Sequence, residues 1–380
     1  ELMTIVMKDL NVPHRYLLGP GPSDVHPRVL RAMCTEVIGY LDPEWNALMD
    51  EEQALLREVF QTRNQMTFPM SGTGSAGMET AFCNFVEPGD KVVIACNGYF
   101  SERMCEMAKI YGAKVIRLEK PWGGIFTPSE IEDVLIKNGP IKIMALVHAE
   151  TSTGALQPLE KIDEIVHRHG ALFLIDCVTS LGGIPLKIDD WGVDIAYSAS
   201  QKCLGCPPGL SPVTVNDRAR EILYRRKKRV SNWYLDLTMV EKYWNQDRIY
   251  HHTPSTTLHY GFREGLRLIL EEGLEARWIR HQKNAEYLWD KLEALGLKLF
   301  VPAEYRLPSL STVCIPDGVE DATVRTQLRE TYGIDIAGGF GPLKGKIWRI
   351  GLMGYSSRHE NITLLAEALR EIFRQMRMKA

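Results

Sequence analysis

A chain of 380 residues is long for one hydrophobic core, and 24% charged against 45% hydrophobic residues excludes a disordered protein and points to two or more globular domains. The formal net charge of −3 provides no overall field for nucleic acid or an anionic membrane, so neither partner is expected and small-molecule chemistry is favoured. There is no run of 18 apolar residues, and the start, ELMTIVMKDLNVPHRY, lacks a basic region followed by an apolar core. Eight scattered cysteines read as reduced thiols, and a cytoplasmic location is the expectation.

In chain order, a rigid stretch without bulky side chains, LLGPGPSDVHP (Leu17 to Pro27), comes first. The loop MSGTGSAGME follows, containing G-x-G-x-x-G at 72–77. A dinucleotide fingerprint would need an acidic residue at the end of the next strand, but VVIAC ends in Asn97-Gly98. What remains is a glycine turn opening a helix, where Thr73, Gly74 and Ser75 can offer backbone N–H groups to a phosphate. Alone, it could equally be a tight turn with no ligand.

From Phe68 to about Val215, short β-rich runs alternate with amphipathic segments, the pattern of a mostly parallel sheet covered on both faces. The runs are KVVIAC (Lys91 to Cys96), AKVIRL (Ala113 to Leu118), IKIMALVH (Ile141 to His148), ALFLID (Ala171 to Asp176) and DIAYSA (Asp194 to Ala199). PLEKIDEIVHRHG is a helix capped by Gly170. After Val215 come two long helical segments, Thr257 to Glu272 and Leu274 to Leu295. A second αβ unit is then built from LSTVCIP, a helix near Ala322 to Tyr332, GIDIAGG and KIWRIGLM. The last helix carries Ile362, Leu365, Leu369, Ile372 and Met376 on one stripe, behind an S-x-x-E capping box at 357–360.

Asp176 ends one apolar run and Lys202 follows the next, at carboxyl ends of strands where open α/β sheets bind ligands. Taken singly they read as a helix cap and a solvated lysine. Together with the phosphate loop they meet the requirements of pyridoxal 5'-phosphate: a lysine to form an imine with the aldehyde, a carboxylate to keep the ring nitrogen protonated, and an anion anchor. A lysine displaced by an incoming amine can then carry a proton at the substrate Cα.

SGTGSAGMETAFCNFVEPGDKVV, HAETSTGALQPL, LIDCVTSLGG, YSASQKCLGCPPG, YHHTPS and WRIGLMG, in this order, resemble the class V aminotransferases, and within them the alanine-glyoxylate/serine-pyruvate group. The resemblance runs from about Leu17 to the C-terminus. It implies pyridoxal-phosphate fold type I, with a large domain on a mostly parallel seven-stranded type of sheet and a smaller C-terminal αβ domain. We set the divisions at 1–16, 17–272 and 273–380.

By resemblance, Lys202 holds the cofactor aldehyde, Asp176 faces the ring nitrogen, and Val178 and Phe100 pack on the two ring faces. Thr151 bonds the phenolic oxygen. The phosphate falls to Gly74, Ser75 and Gln201, with Tyr250 and Thr253 lent by a second subunit, which implies a homodimer with shared active sites. The family often has His where Ser75 stands. Arg349 would bind the substrate carboxylate with its planar fork, and the stretch around Gly21 would line the substrate pocket. The implied substrates are a small amino acid, alanine first, and a 2-oxo acid, glyoxylate. Serine-glyoxylate, serine-pyruvate and 2-aminoethylphosphonate transamination stay open, as do cysteine desulfuration and a cofactor-binding regulator without turnover.

Several features are set aside. Cys203 and Cys206 form a C-x-x-C without a second pair or spaced histidines, so no metal is expected. His251 and His252 are expected beside the phosphate contacts, and the run Arg225 to Arg229 on a solvated helix face.

Overall fold

Seven runs meet in one sheet of the computed structural model, which describes residues 8–379. They are β1 (Met66–Ser71), β2 (Lys91–Cys96), β3 (Lys114–Glu119), β4 (Ile143–Val147), β5 (Leu172–Asp176), β6 (Ile195–Tyr197) and β7 (Leu210–Val215). The strand order is β1-β7-β6-β5-β4-β2-β3. All neighbours are parallel except β7, which runs antiparallel to both β1 and β6. The apolar runs are continuous because both faces are covered. Val92 and Ile94 pack into one core with Leu172 and Leu174, while Val93 and Ala95 pack into the opposite core with Phe173 and Ile175.

β1 and β7 lie outside the expected runs for a definite reason. Pro69 and Pro212 interrupt them and stand opposite each other in register. Proline cannot donate to a strand ladder, so each run reads as a turn or loop in sequence. Pro212 still takes part through its carbonyl, which accepts from the Ser198 N–H at 2.8 Å.

The second unit is an antiparallel sheet in the order β8-β10-β9, from β8 (Leu310–Cys314), β9 (Ala337–Gly338) and β10 (Ile347–Gly351). Trp348 and Ile350 of β10 bury against Leu288 and Leu292 of the helix Leu274–Ala294 and Leu365 and Leu369 of the helix His359–Lys379. The start of the described chain joins this unit: Tyr16–Leu17 pairs in parallel with Ile334–Asp335, and Leu18 lies in the same core. From there the chain passes over the carboxyl ends of the large sheet.

Two local expectations change. The last helix begins at His359, and the Ser357 hydroxyl accepts from Asn284 Nδ2 at 3.1 Å; burial against the neighbouring helix takes it out of a capping box. The basic run follows the helix Asp217–Tyr224 instead of lying on its face. Arg226 turns inward and donates to the carbonyls of Asn84 and Val86 at 2.8 and 2.9 Å, so a cation meets the negative end of the helix Gly74–Phe85.

Candidate active site

At the carboxyl ends of β5 and β6 lies a cavity of about 260 Å³ lined by Thr73, Gly74, Ser75, Phe100, Asp176, Val178, Gln201 and Lys202, all singled out in the sequence. Met78, Tyr99, Arg103, Tyr197, Ala199 and Phe340 complete its wall. A larger cavity of about 460 Å³ beside His26, Arg280 and Tyr355 contains neither Asp176 nor Lys202.

One end of the site is the start of the helix Gly74–Phe85. Thr73 makes no side-chain capping bond there, which leaves N–H groups of the first turn available to an anion. The glycines have separate tasks. Gly74 sits so close to Ala199 that a Cβ would stand 2.9 Å from it, and a Cβ on Gly77 would run into Ser211 and come within 3.0 Å of Tyr197 Cβ. The motif thus brings the helix down onto β6 and β7, with its N-terminus at the sheet's carboxyl edge.

The other end is Asp176, 2% exposed. Its Oδ1 accepts from Val178 N–H and its Oδ2 from the Tyr197 hydroxyl, both at 2.9 Å. Burial pushes its carboxyl up to about 7, against those two hydrogen bonds. A carboxylate so placed gains most from a cationic partner, as a protonated ring nitrogen would be. The same cavity holds Lys202, whose ammonium is lowered to about 8 by burial first and by the charge of Arg349 second. Lys202 Nζ donates to the Pro20 carbonyl, and Gly21, at φ +118°, leaves room that a side chain would take from the lysine. Gln201 Oε1 is buried with no hydrogen-bond partner among the described residues, an acceptor still in want of a donor.

Arg349 comes from β10 and borders the site instead of lining it. It is 3% exposed, donates from Nε to the Gly338 carbonyl at 2.7 Å, and lies over the Phe340 ring with Cζ 4.0 Å from the centroid. Burial lowers its guanidinium to about 10. Thr151 is buried in the turn after Glu150 and does not line the cavity. Glu150 itself is a buried carboxyl under the helix Tyr99–Ile110, accepting from the Ser152 hydroxyl at 2.7 Å and the Ser101 N–H at 3.4 Å; the bare Gly98 makes room for it.

Tyr250 and Thr253 lie apart from this cavity. They are exposed and bonded to each other at 3.0 Å, with Tyr250 stacked on Tyr40. His252 bonds Ser71 at 2.6 Å and His251 at 2.8 Å. Cys203 and Cys206 are buried, with Sγ atoms directed at backbone carbonyls.

Tyr197, Arg103 and Phe340 went unremarked in the sequence. Tyr197 is hidden inside an apolar strand run, and Arg103 among the polar residues of a helix whose Met104, Cys105 and Ala108 pack into the core. Phe340 lies in a glycine-rich loop whose packing depends on a distant strand.

The amino-acid residues therefore suit a phosphorylated pyridine aldehyde: an anion seat, an amine and a buried acid line one cavity. Comparison with known proteins agrees. The model of the family described as aminotransferase class-V matches residues 15–360. The chain is 41% identical to the (S)-ureidoglycine–glyoxylate transaminase of Bacillus subtilis, over 96% of this chain and 92% of that protein. It is 43% identical to the alanine–glyoxylate aminotransferase of Callithrix jacchus, over 96% and 89%. The crystal structure of an alanine–glyoxylate aminotransferase from Nostoc sp. superposes with a TM-score of 0.96 at 53% identity, covering 97% of this chain and 98% of that one. This chain belongs to the class V aminotransferases, fold type I enzymes whose cofactor is pyridoxal 5'-phosphate.

Proposed function

We propose that the protein transfers an amino group from a small amino acid, alanine first among them, to glyoxylate, giving pyruvate and glycine. The observation that carries this reading is the placement of Lys202 in one cavity with Asp176, under the influence of Arg349 from the second unit. When bound, pyridoxal phosphate supplies an aldehyde that takes up the amino group and a ring that stores the electron pair left at Cα.

The chain's own groups do the rest. Asp176 holds a proton at the ring nitrogen, fixed in direction by Tyr197 and Val178. Lys202, with an ammonium already lowered to about 8, would take the Cα proton as a neutral amine and, as the ammonium, deliver it on the same face to the carbon of the former aldehyde. Arg349 binds the α-carboxylate of donor and acceptor in turn, which suits a ping-pong order. Phe340 and Tyr99, with ring centroids 4.9 Å apart, close the side of the cavity next to Arg349 and favour short side chains.

The same reading gives the phosphate to Gly74, Ser75 and Gln201, and the phenolic oxygen to Thr151. Tyr250 and Thr253, exposed and outside the lining of their own chain's cavity, would serve a second copy, making a homodimer. We set the change from the large to the small unit at Gly273, which at φ +84° joins two long helices.

The similarity to a ureidoglycine–glyoxylate transaminase favours one second reading, in which the donor carries a ureido group. A panel of alanine, serine and (S)-ureidoglycine, each offered with glyoxylate and scored for glycine formation, decides between them. The expected result is the highest kcat/KM with alanine. Preference for ureidoglycine by tenfold or more overturns the alanine assignment, and no glycine from any donor overturns the whole reading.

A further inference from the structure

The arginines that line the larger cavity are paired: Arg277 with Glu272 at 2.7 Å, Arg280 with Glu272 at 2.5 Å and Arg358 with Glu360 at 3.4 Å. Arg103 and Arg349 differ, since neither has a carboxylate within ion-pair distance among the described residues. For Arg349 the missing anion is the substrate carboxylate in the reading above. Arg103 poses the same question inside the cavity.

Arg103 lines the cavity with Ser75 and Phe100. Its Nη1 donates to Ser75 Oγ at 3.1 Å, and its Cζ lies 5.2 Å from the Tyr99 centroid and 5.1 Å from that of Phe100. Two rings of one helical turn thus hold the guanidinium plane against the start of the neighbouring helix. A hydroxyl that accepts from Arg103 has its own proton left to give. Ser75 can then donate into the cavity, where the helix N-terminus already favours an anion. The other groups expected at that end, Gly74 and Gln201, are neutral, so a phosphate dianion seated there would otherwise lack a full counter-charge.

We propose that Arg103 is the counter-ion of the cofactor phosphate, acting through Ser75 as a positioning residue and fixing the direction of its hydroxyl. The inference rests on the phosphate lying at Gly74 and Ser75.

The test compares full-length wild type, Arg103→Met, Arg103→Lys and Ser75→Ala for binding of pyridoxal phosphate and of pyridoxal, which lacks the phosphate, by quenching of tryptophan fluorescence. Arg103→Met keeps an apolar stem over the two rings. It should lose about tenfold or more in affinity for pyridoxal phosphate and little for pyridoxal. Arg103→Lys should recover part of the loss. The double variant Arg103→Met/Ser75→Ala should lose less than the sum of the single effects, because the two residues act as one unit. Equal losses for both ligands would mean that Arg103 only supports the helix, and the inference falls. A loss in Ser75→Ala without one in Arg103→Met overturns the inference and leaves the phosphate seat standing. No selective loss in Ser75→Ala overturns the seat itself.

Discussion

Asp176 and Arg349 are both ionisable side chains, 2% and 3% exposed, yet the molecule treats them in opposite ways. Asp176 ends a strand of the large sheet and has an oxygen tied on each side, to Val178 and to Tyr197. Arg349 stands inside a strand of the small sheet with only Nε tied to protein among the described residues, its plane laid on Phe340. The first arrangement fixes direction, and on the proposed reading its charge is met by a partner that stays. The second holds orientation through one bond and an aromatic face, and on the proposed reading the outer edge of its fork serves partners that come and go. A resident cofactor and an exchanging substrate ask for these two plans.

The largest effect expected is at the residue between them. Lys202→Ala should remove the absorbance of the lysine-bound cofactor and reduce transamination by several orders of magnitude, while added pyridoxal phosphate still binds through Asp176 and the phosphate seat. An unaltered visible spectrum in the variant would place the reactive amine elsewhere.

Arg349→Ala sharpens the comparison in two ways. It should raise KM for both carboxylate substrates, lowering kcat/KM by about ten- to a hundredfold, as expected for losing a charged hydrogen-bonding group. It should also move Lys202. Arg349 is the second cause lowering the lysine ammonium to about 8, so its removal must raise that value. The neutral amine attacks the aldehyde, so the rate of cofactor uptake by stripped enzyme should climb through about pH 8 in wild type and at higher pH in the variant. Coincident profiles would show that the two side chains do not share a field.

Much of this was legible in sequence because chemistry and punctuation coincide: Asp176 and Lys202 follow apolar runs that can only be buried strands, and the glycine motif announces a helix start. The seven-stranded sheet was only partly legible. Pro69 and Pro212 disguise β1 and β7, and their pairing is a property of the register, invisible in either run alone. Tyr197 was missed because a strand tyrosine reads as packing; only the adjacency of β5 and β6 brings its hydroxyl to Asp176. The attachment of Tyr16–Leu17 to Ile334–Asp335 likewise joins segments more than 300 residues apart, with no local signal.

Gly77→Ala tests how tightly the large-sheet side is built. The new Cβ would meet Ser211 and crowd Tyr197 Cβ at 3.0 Å, so the helix must lift from the sheet. A loss of about 1–3 kcal/mol in unfolding free energy is expected, with weaker cofactor binding as the N-terminus shifts. A denaturant midpoint equal to wild type would mean that the helix does not depend on this contact.

The smallest effect is expected for Tyr197→Phe, which removes one donor from Asp176 and leaves the packing. Losing such a bond costs about 1 kcal/mol and should reduce turnover less than tenfold. Its clearer mark is in pH dependence. In cofactor-free protein the Asp176 carboxyl is raised from 3.8 to about 7, so the folded state holds that proton more tightly than the unfolded chain. The resulting stability is fully present below 3.8 and is lost as pH rises through about 7. The tyrosine hydroxyl favours the ionised carboxylate, so its removal raises the folded-state value further and extends the decline to higher pH. Pyridoxal phosphate, by giving the carboxylate a cationic partner, should flatten this slope in both proteins. Thermal melts from pH 4 to 8 with and without cofactor would reveal it, and a slope unaffected by the cofactor would separate Asp176 from the ring nitrogen.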